Sequence, residues 1–186
     1  MNIISQLQYN SIVILTFFFL SLIALILKYL TKDKSNKYIF STYPSSLANP
    51  LTYIRLFTHI LGHENWNHFM NNFLYILLIG PMIEEKYGAQ NLLIMILLTA
   101  LITAIVNNLI GKNRILGASG IVFMLIVLSS FVNIEAGRIP LTLILIFIFY
   151  IINEIISGLS KKDNVSHLSH IIGAICGGIY GFYLFK

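Results

Sequence analysis

Long apolar runs alternate with short polar stretches along the chain, and this pattern predicts six helices. The predicted helices occupy roughly residues 11–30, 66–83, 90–110, 118–134, 139–157 and 167–185. Most of these runs approach the about 20 apolar residues that a helix needs to cross a bilayer. The strict period-2 alternation that a membrane β-barrel requires is absent from the sequence. We therefore expect one all-α, multi-pass membrane domain over residues 1–186, whose first run is a retained helix and not a signal peptide.

The connections between the predicted helices are short, with one exception. Residues 31–65 form a long first connection, which begins with three charged residues and ends in an amphipathic stretch at 53–57. An amphipathic stretch of this kind is typical of a segment that lies in the membrane interface. Tight turns are predicted at 84–89 and at 136–140.

Composition narrows the class of protein further. Of the 186 residues, 57% are hydrophobic and 10% are charged, which excludes an ordinary soluble domain. The net charge of +5 favours contact with anionic lipid headgroups, and because the basic residues are scattered we expect no nucleic-acid partner. Cys176 is the only cysteine, so no intramolecular disulfide can form.

The basic residues are distributed unequally between the two ends of the predicted helices. The N-terminus, the second and fourth loops and the C-terminus carry Lys86, Arg138 and Lys186. The other end carries Lys28, Lys32, Lys34, Lys37, Arg55, Lys112, Arg114, Lys161 and Lys162. The positive-inside rule places this second, more basic end in the cytoplasm.

A serine lies where one of the predicted helices begins. The residues Gly117, Ala118, Ser119 and Gly120 form a small-residue run that can expose the serine hydroxyl. The free N–H groups of a helix N-terminus can also stabilise a developing oxyanion. Ser119 is thus a candidate nucleophile, although small residues in membrane helices also serve close packing.

A histidine shares a helix face with a row of glycines. His170, Gly173, Gly177 and Gly181 recur at helical spacing, and glycines allow a neighbouring helix to approach closely. If that neighbour is the helix that starts at Ser119, His170 can act as its base. The alternative is a histidine that reaches toward the interface beside glycines that serve packing alone.

Two hydrogen-bond donors share a face of the second predicted helix. His68 and Asn72 are four residues apart, so both lie on one side of it. Donors aimed at an oxyanion contribute about 2.7–4 kcal/mol in hydrolases. Interhelical hydrogen bonding is the alternative role for such residues.

The histidines and the acidic residues raise two further possibilities, a metal site and a catalytic carboxylate. His59, His63 and His68 could ligate zinc, but His68 is five residues after His63, whereas the zinc-protease helix motif needs four. We therefore expect no metal and no cofactor. Glu154 is the one acid clearly inside a predicted helix, and nothing aims it at His170. The residues favour a Ser–His dyad, with Glu154 in an interhelical hydrogen bond or held protonated by burial.

Together these residues resemble the rhomboid family of intramembrane serine proteases over about residues 54–181. The run from Arg55 through His59, His63 and His68 to Asn72 resembles the family's first-loop and second-helix signature. The run 117–120 resembles its nucleophile motif, and 170–177 resembles its sixth-helix motif.

The resemblance implies a six-helix rhomboid-like bundle with a water-filled cavity open to one side. It implies that Ser119 is the nucleophile, that His170 is the general base, and that His68, Asn72 and the Ser119 backbone N–H form the oxyanion hole. The supporting residues that it implies are Gly117, Gly120, Phe123, Gly173, Gly177, Arg55, His59, His63 and Glu84. Arg55 would fix the first-loop structure, Glu84 would bond within the bundle, and His59 and His63 would be structural or water-holding.

The sequence departs from the family pattern at two positions. Relatives often carry tyrosine four residues after the nucleophile, where this chain has Phe123, which can stack but offers no hydroxyl. Relatives often carry tryptophan before the first-loop arginine, where this chain has Ile54. The charge distribution also conflicts with the family orientation, which keeps the N-terminus cytoplasmic and opens the site to the outside. We expect the family orientation in the cell membrane.

The expected substrates are membrane proteins with a transmembrane helix that unwinds locally, so Gly or Pro near small residues would favour cleavage. Entry is expected to be lateral, between the fifth and sixth helices or past the loop 160–166. Three alternatives stay open: a catalytically silent relative that binds transmembrane clients, a small transporter or metal carrier, and a lipid-directed serine hydrolase. The sequence leaves the oligomeric state open.

Overall fold

The computed structural model describes residues 8–110, 113–132, 134, 138–152 and 167–184. Within these ranges the regular elements are helices, joined by one isolated antiparallel bridge between Thr42 and Ile115. The helices are α1 (Ile12–Leu30), α2 (Lys34–Tyr38), α3 (Pro50–Thr58), α4 (Trp66–Tyr87), α5 (Ala89–Ile110), α6 (Ser119–Ser129), α7 (Leu141–Ile146) and α8 (His167–Ile179). A 3₁₀ turn, His59–Leu61, follows α3, and π-helical turns at Phe147–Ile151 and Tyr180–Leu184 extend α7 and α8.

Two of the predicted boundaries are wrong. The turn expected at 84–89 is reduced to Gly88, which has a φ of 83°, because α4 continues to Tyr87 and α5 begins at Ala89. The cause is tertiary, since Glu84 is buried and bonded within the bundle. The helix expected at 118–134 ends early at Ser129, and short turns follow it, in which Phe131 N–H donates to the Leu128 carbonyl at 3.0 Å.

The first connection contains two helices. The predicted amphipathic stretch lies within α3, which begins with Pro50 and is capped by Asn49, whose side chain accepts from Leu51 N–H at 3.0 Å. Proline at the first helical position and asparagine before it are typical start signals. The five-residue α2 was not predicted, because it is too short to show an apolar period.

Within the described residues, α1 and α5 are the two helices that are long and apolar enough to cross a membrane by length and composition. The helix predicted at 139–157 is described as far as Ile152. Glu154 and the loop 160–166 lie outside the described residues, as does the end of the helix predicted at 167–185.

The helix α6 is the centre of the bundle and packs most extensively along α8, with further contacts to α4 and α5. Between its terminal residues Ser119 and Ser129 its side chains are apolar on every face, which is typical of a helix that is surrounded by other helices. Ile121, Met124, Leu125 and Leu128 are each at most 1% exposed. This packing holds the first residue of α6, Ser119, at a fixed place relative to α4 and α8.

Candidate active site

Ser119 is the first residue of α6, and its side chain is partly exposed. The residue before it, Ala118, occupies the N-cap position and has no polar side chain to cap the helix. The first N–H groups of a helix have no partner within the helix, and serine, threonine or aspartate usually supplies one at the N-cap. An alanine cap therefore leaves donors available beside the serine hydroxyl.

The loop before Ser119 is held by the first connection. Thr42 and Ile115 exchange two backbone hydrogen bonds of 2.9 and 3.0 Å, and Gly117 N–H donates to the His59 carbonyl at 2.9 Å. The loop is thus anchored at two points, one on each side of Leu116. This anchoring fixes where the backbone turns into α6.

The backbone conformation of Gly117 and its close neighbours both disfavour any residue with a side chain at this position. Its φ is 119°, a region that residues with a side chain rarely adopt. A β-carbon at this position would lie 2.8 Å from His68 Nε2 and 3.7 Å from Asn72 Nδ2. The imidazole and the amide therefore both lie against the loop, two residues before Ser119.

Both donors on α4 are oriented by local contacts. Asn65 caps α4 by accepting from His68 N–H at 2.9 Å, which fixes the first turn. Glu64 N–H points at His68 Nδ1 at 3.5 Å, which favours the tautomer with its proton on Nε2, the atom nearest Gly117. Asn72 is 6% exposed, and its Nδ2 has no protein partner among the described residues. Buried amide donors are normally satisfied, so this one is available for a ligand.

The glycines of α8 bring its backbone against that of α6. A β-carbon on Gly173 would lie 2.0 Å from the Gly120 carbonyl oxygen, and one on Gly177 would lie 2.5 Å from the Met124 carbonyl oxygen. The neighbour of the glycine face is therefore the helix that starts at Ser119. Contact this close needs glycine, because any larger residue would push the two helices apart.

His170 lies over the face of α6 that carries Ser119. Its imidazole stacks on the Phe123 ring with centroids 4.5 Å apart and an interplanar angle of 7°. Phe123 is four residues after Ser119 and so lies on the same side of α6. The stack places the imidazole one helical turn from the serine.

Arg55 organises the first connection from within. It is 2% exposed, and it donates to the Tyr43 hydroxyl at 2.9 Å and to the Ser45 hydroxyl at 2.7 Å. Its guanidinium also lies 4.3 Å from the centroid of the Tyr43 ring. A buried arginine that is bonded in this way ties α3 to the segment that contacts Ile115.

His59 and His63 are buried beside the site and held by backbone groups. His59 Nδ1 lies 3.1 Å from the Arg55 carbonyl, and burial lowers the pKa of His59 to about 4. Burial, with His68 nearby, lowers the pKa of His63 to about 3. Its ring meets the His68 ring edge-on at 5.1 Å. Both imidazoles are therefore neutral at neutral pH, and that of His63 packs against His68.

Glu84 lies at the opposite end of α4 and caps α1. Its carboxylate accepts hydrogen bonds from the Ser11 hydroxyl, from Val13 N–H at 3.0 Å and from Ile14 N–H at 3.1 Å. A carboxylate at a helix N-terminus satisfies free donors and complements the helix dipole. Glu84 thus belongs to the bundle and lies away from Ser119.

Several polar residues near Ser119 were missed from the sequence. A cavity of about 10 Å³ lies beside it, and its polar lining comes from His59, Thr103, Ser119 and Ser169. This volume is close to the minimum that holds one water molecule. Thr99, Thr103 and Asn107 recur every four residues on α5 and are buried. This row of polar residues in an otherwise apolar helix was the signal that could have identified Thr103 as part of the cavity lining.

The part of the chain that contains these site residues is similar to known proteins. The Rhomboid domain family model matches residues 50–186. A rhomboid-like chloroplast protein of Arabidopsis thaliana, number 11 of its series, is 26% identical over 164 residues, which are 80% of this chain and 56% of that protein. The rhomboid protease GlpG of Haemophilus influenzae is 27% identical over 131 residues, which are 69% of this chain and 68% of that protein. The chain thus spans little more than half the length of the chloroplast relative.

Proposed function

The chain belongs to the rhomboid family, and from this premise we propose that it is a serine endopeptidase that cleaves peptide bonds in or near the membrane-spanning segments of other proteins. The observation that carries the proposal is the convergence of His68 Nε2 and Asn72 Nδ2 on Gly117, beside the helix that begins with Ser119 and has no side-chain cap. Among the described residues, Asn72 Nδ2 has no protein partner. A binding protein has no need for two donors aimed beside an accessible serine. The relative from Haemophilus influenzae, which is named a protease, also supports it.

In the proposed reaction, His170 removes the proton of the Ser119 hydroxyl while its oxygen attacks the substrate carbonyl carbon. The resulting oxyanion accepts hydrogen bonds from His68, Asn72 and the backbone N–H of Ser119. His170 then donates its proton to the leaving amine, and the peptide bond breaks. The product is an acyl-enzyme on Ser119 together with the released amine fragment.

Hydrolysis of the acyl-enzyme needs one water molecule near a base. The cavity beside Ser119 is close to the minimum volume that holds one, and the buried Thr103 hydroxyl, which has no protein partner in the described part of the chain, can bind it. His170 removes a proton from this water as it attacks the acyl carbon. Ser119 is then released as the free hydroxyl and His170 as the neutral imidazole.

The substrate peptide must be extended where it meets Ser119, because a helical peptide bond is shielded by its own hydrogen bonds. We infer that substrates with Gly or Pro near small residues are cleaved best, since these residues weaken a helix. The family is embedded in membranes, and in this chain α1 and α5 are clear apolar spans. The full proposal is six crossings, with the first connection on the outside of the cell membrane.

The test is cleavage of a fluorogenic peptide containing a transmembrane segment by the purified chain in detergent. Wild type is compared with Ser119→Ala and His170→Ala, each with and without a chelator. We expect cleavage by wild type in both conditions and none by either variant. Cleavage that survives Ser119→Ala would show that the nucleophile is another residue, and loss of wild-type cleavage on chelation would show metal-dependent chemistry.

A further inference from the structure

Four lysines occur within residues 28–37, where the first connection leaves α1. Lys28 is on the last turn of α1, Lys32 follows it, and Lys34 and Lys37 are on α2; we refer to these four residues as the lysine surface. Lys32, Lys34 and Lys37 are exposed. In the described part of the chain the one ion pair joins Asp33 to Arg114 at 3.2 Å, so the nearest carboxylate is already engaged. Among the described residues, therefore, no carboxylate forms an ion pair with the lysine surface.

Exposed tyrosines accompany these lysines. Lys28 Nζ lies 4.3 Å from the centroid of the Tyr29 ring, and Lys37 Nζ lies 5.4 Å from that of Tyr38. Tyr29 and Tyr38 are 46% and 48% exposed. Tyrosine rings concentrate at the headgroup level of membranes, where one end is apolar and the other is wet. A lysine that lies over such a ring is suited to that level, because its cation then meets the charged headgroups.

The opposite end of the bundle lacks this arrangement. Its described cations are Lys86 and Arg138, and Lys86 follows Glu85, which is also exposed. The charge of the described residues is therefore asymmetric between the two ends. An excess of positive charge at one end of the bundle, at the headgroup level, is complementary to a negatively charged membrane surface.

We propose that the lysine surface binds the anionic headgroups of phospholipids in the leaflet that the first connection contacts. Each lysine near an anionic membrane surface contributes about fivefold in affinity, and this attraction weakens in salt. Binding to the folded chain raises its unfolding temperature, since the unfolded chain does not hold the lysines together. This inference concerns lipid binding and does not depend on the proposed protease activity.

The test uses the purified full chain in neutral detergent, to which phosphatidylglycerol or zwitterionic phosphatidylcholine is added while thermal unfolding is followed. The double variant Lys34→Gln with Lys37→Gln is compared with Lys86→Gln with Arg138→Gln, which removes the same charge from the opposite end. We expect phosphatidylglycerol to stabilise wild type at low salt and much less at high salt. We expect the first variant to need at least about tenfold more of this lipid for half-maximal stabilisation, and the second to behave as wild type.

Three results would overturn the proposal. Equal stabilisation by the two lipids would show that headgroup charge is not recognised. Equal loss in the two double variants would show that net charge acts without a defined surface. Stabilisation by soluble glycerol phosphate to the same extent as by phosphatidylglycerol would show a site for free phosphate groups and not a membrane-facing surface.

Discussion

The imidazole of His170 lies flat on the ring of Phe123, with the centroids 4.5 Å apart and the planes within 7°. Phe123 is one turn after Ser119 on α6, so the contact joins the proposed base on α8 to the helix of the proposed nucleophile. Because Phe123 has no hydroxyl, the contact depends on the two faces alone. The plane of the imidazole is therefore set by the shape of residue 123.

Removing this flat surface should lower catalysis with little effect on substrate binding. Aromatic pairs contribute about 0.5–1.5 kcal/mol, so we expect Phe123→Leu to lower kcat about 2- to 12-fold with KM nearly unchanged. Phe123→Tyr is the matched control, because it keeps the ring and should keep the rate. Steady-state cleavage kinetics measures both variants, and a wild-type kcat for Phe123→Leu would contradict a positioning role.

Replacement of Gly117 should abolish most of the activity. In Gly117→Ala the new methyl group meets the His68 ring, and the backbone is strained at a φ of 119°. Displacement of an oxyanion donor costs about 10²–10³ in kcat. Gly88→Ala is the control, since Gly88 also has a positive φ of 83° but nothing lies within 4 Å of its β-carbon position. We expect it to lose about 1–3 kcal/mol of stability and to keep kcat. Equal kcat in the two variants would contradict the proposal.

The contact between α6 and α8 should be sensitive to one methyl group at the right glycine. Gly173→Ala forces a β-carbon against the Gly120 carbonyl oxygen, a backbone atom that cannot rotate away. We expect the free energy of unfolding to fall by about 1–3 kcal/mol. Gly178→Ala, on the same helix with open space around it, should be neutral or slightly stabilising. Denaturation in detergent compares the two, and equal stabilities would show that the helices separate easily.

The glycine face of α8 was predictable because its cause is local. The spacing of His170, Gly173 and Gly177 specifies a face, and a face of glycines implies a close neighbour. The sequence did not contain the reason why α4 continues past Ile83. Two glutamates and a lysine looked like a surface turn, whereas the Glu84 carboxylate reaches the start of α1, some 70 residues earlier in the chain.

The first connection also depends on long-range contacts that the sequence pattern does not show. Its amphipathic stretch was predicted from apolar spacing, but the helix α3 that contains it was not, and the bridge between Thr42 and Ile115 joins residues that are far apart in sequence. The bonds of Arg55 to Tyr43 and Ser45 likewise depend on how the chain folds back on itself. Local patterns thus predicted the longer helices and the candidate residues, and long-range hydrogen bonds determined how the loop before Ser119 is held.

Loss of the Glu84 carboxylate should destabilise the bundle without a direct effect on chemistry. Glu84→Ala leaves the Ser11 hydroxyl and the Val13 and Ile14 N–H groups without their acceptor. Buried groups without partners cost about 1–3 kcal/mol each, so we expect stability to fall by at least about 2 kcal/mol. Glu85→Ala, at the adjacent exposed position, should change stability by less than about 0.5 kcal/mol. Thermal unfolding compares the stabilities of the two variants, and equal midpoint temperatures would show that the Glu84 cap does not stabilise the bundle.

Acid should destabilise the chain through the two buried histidines of the first connection. Burial lowers the pKa of His59 from 6.5 to about 4 and that of His63 from 6.5 to about 3. Above pH 6.5 both states hold these residues neutral, so stability does not depend on them. Below pH 6.5 the unfolded chain binds protons that the folded chain does not, and stability falls until the pH reaches the folded-state values.

The expected slope is about 1.4 kcal/mol per pH unit for each histidine, between about pH 6 and pH 4. Chemical denaturation in detergent at a series of pH values measures it. His63→Phe keeps an aromatic ring among His68, Phe69 and Phe73 but cannot titrate, so its slope should be smaller than that of wild type by about the contribution of one histidine. A wild-type profile that stays flat to pH 4, or an unchanged slope in His63→Phe, would show that the folded chain accepts these protons without cost. In that case water would reach the His59 and His63 side chains in the folded chain.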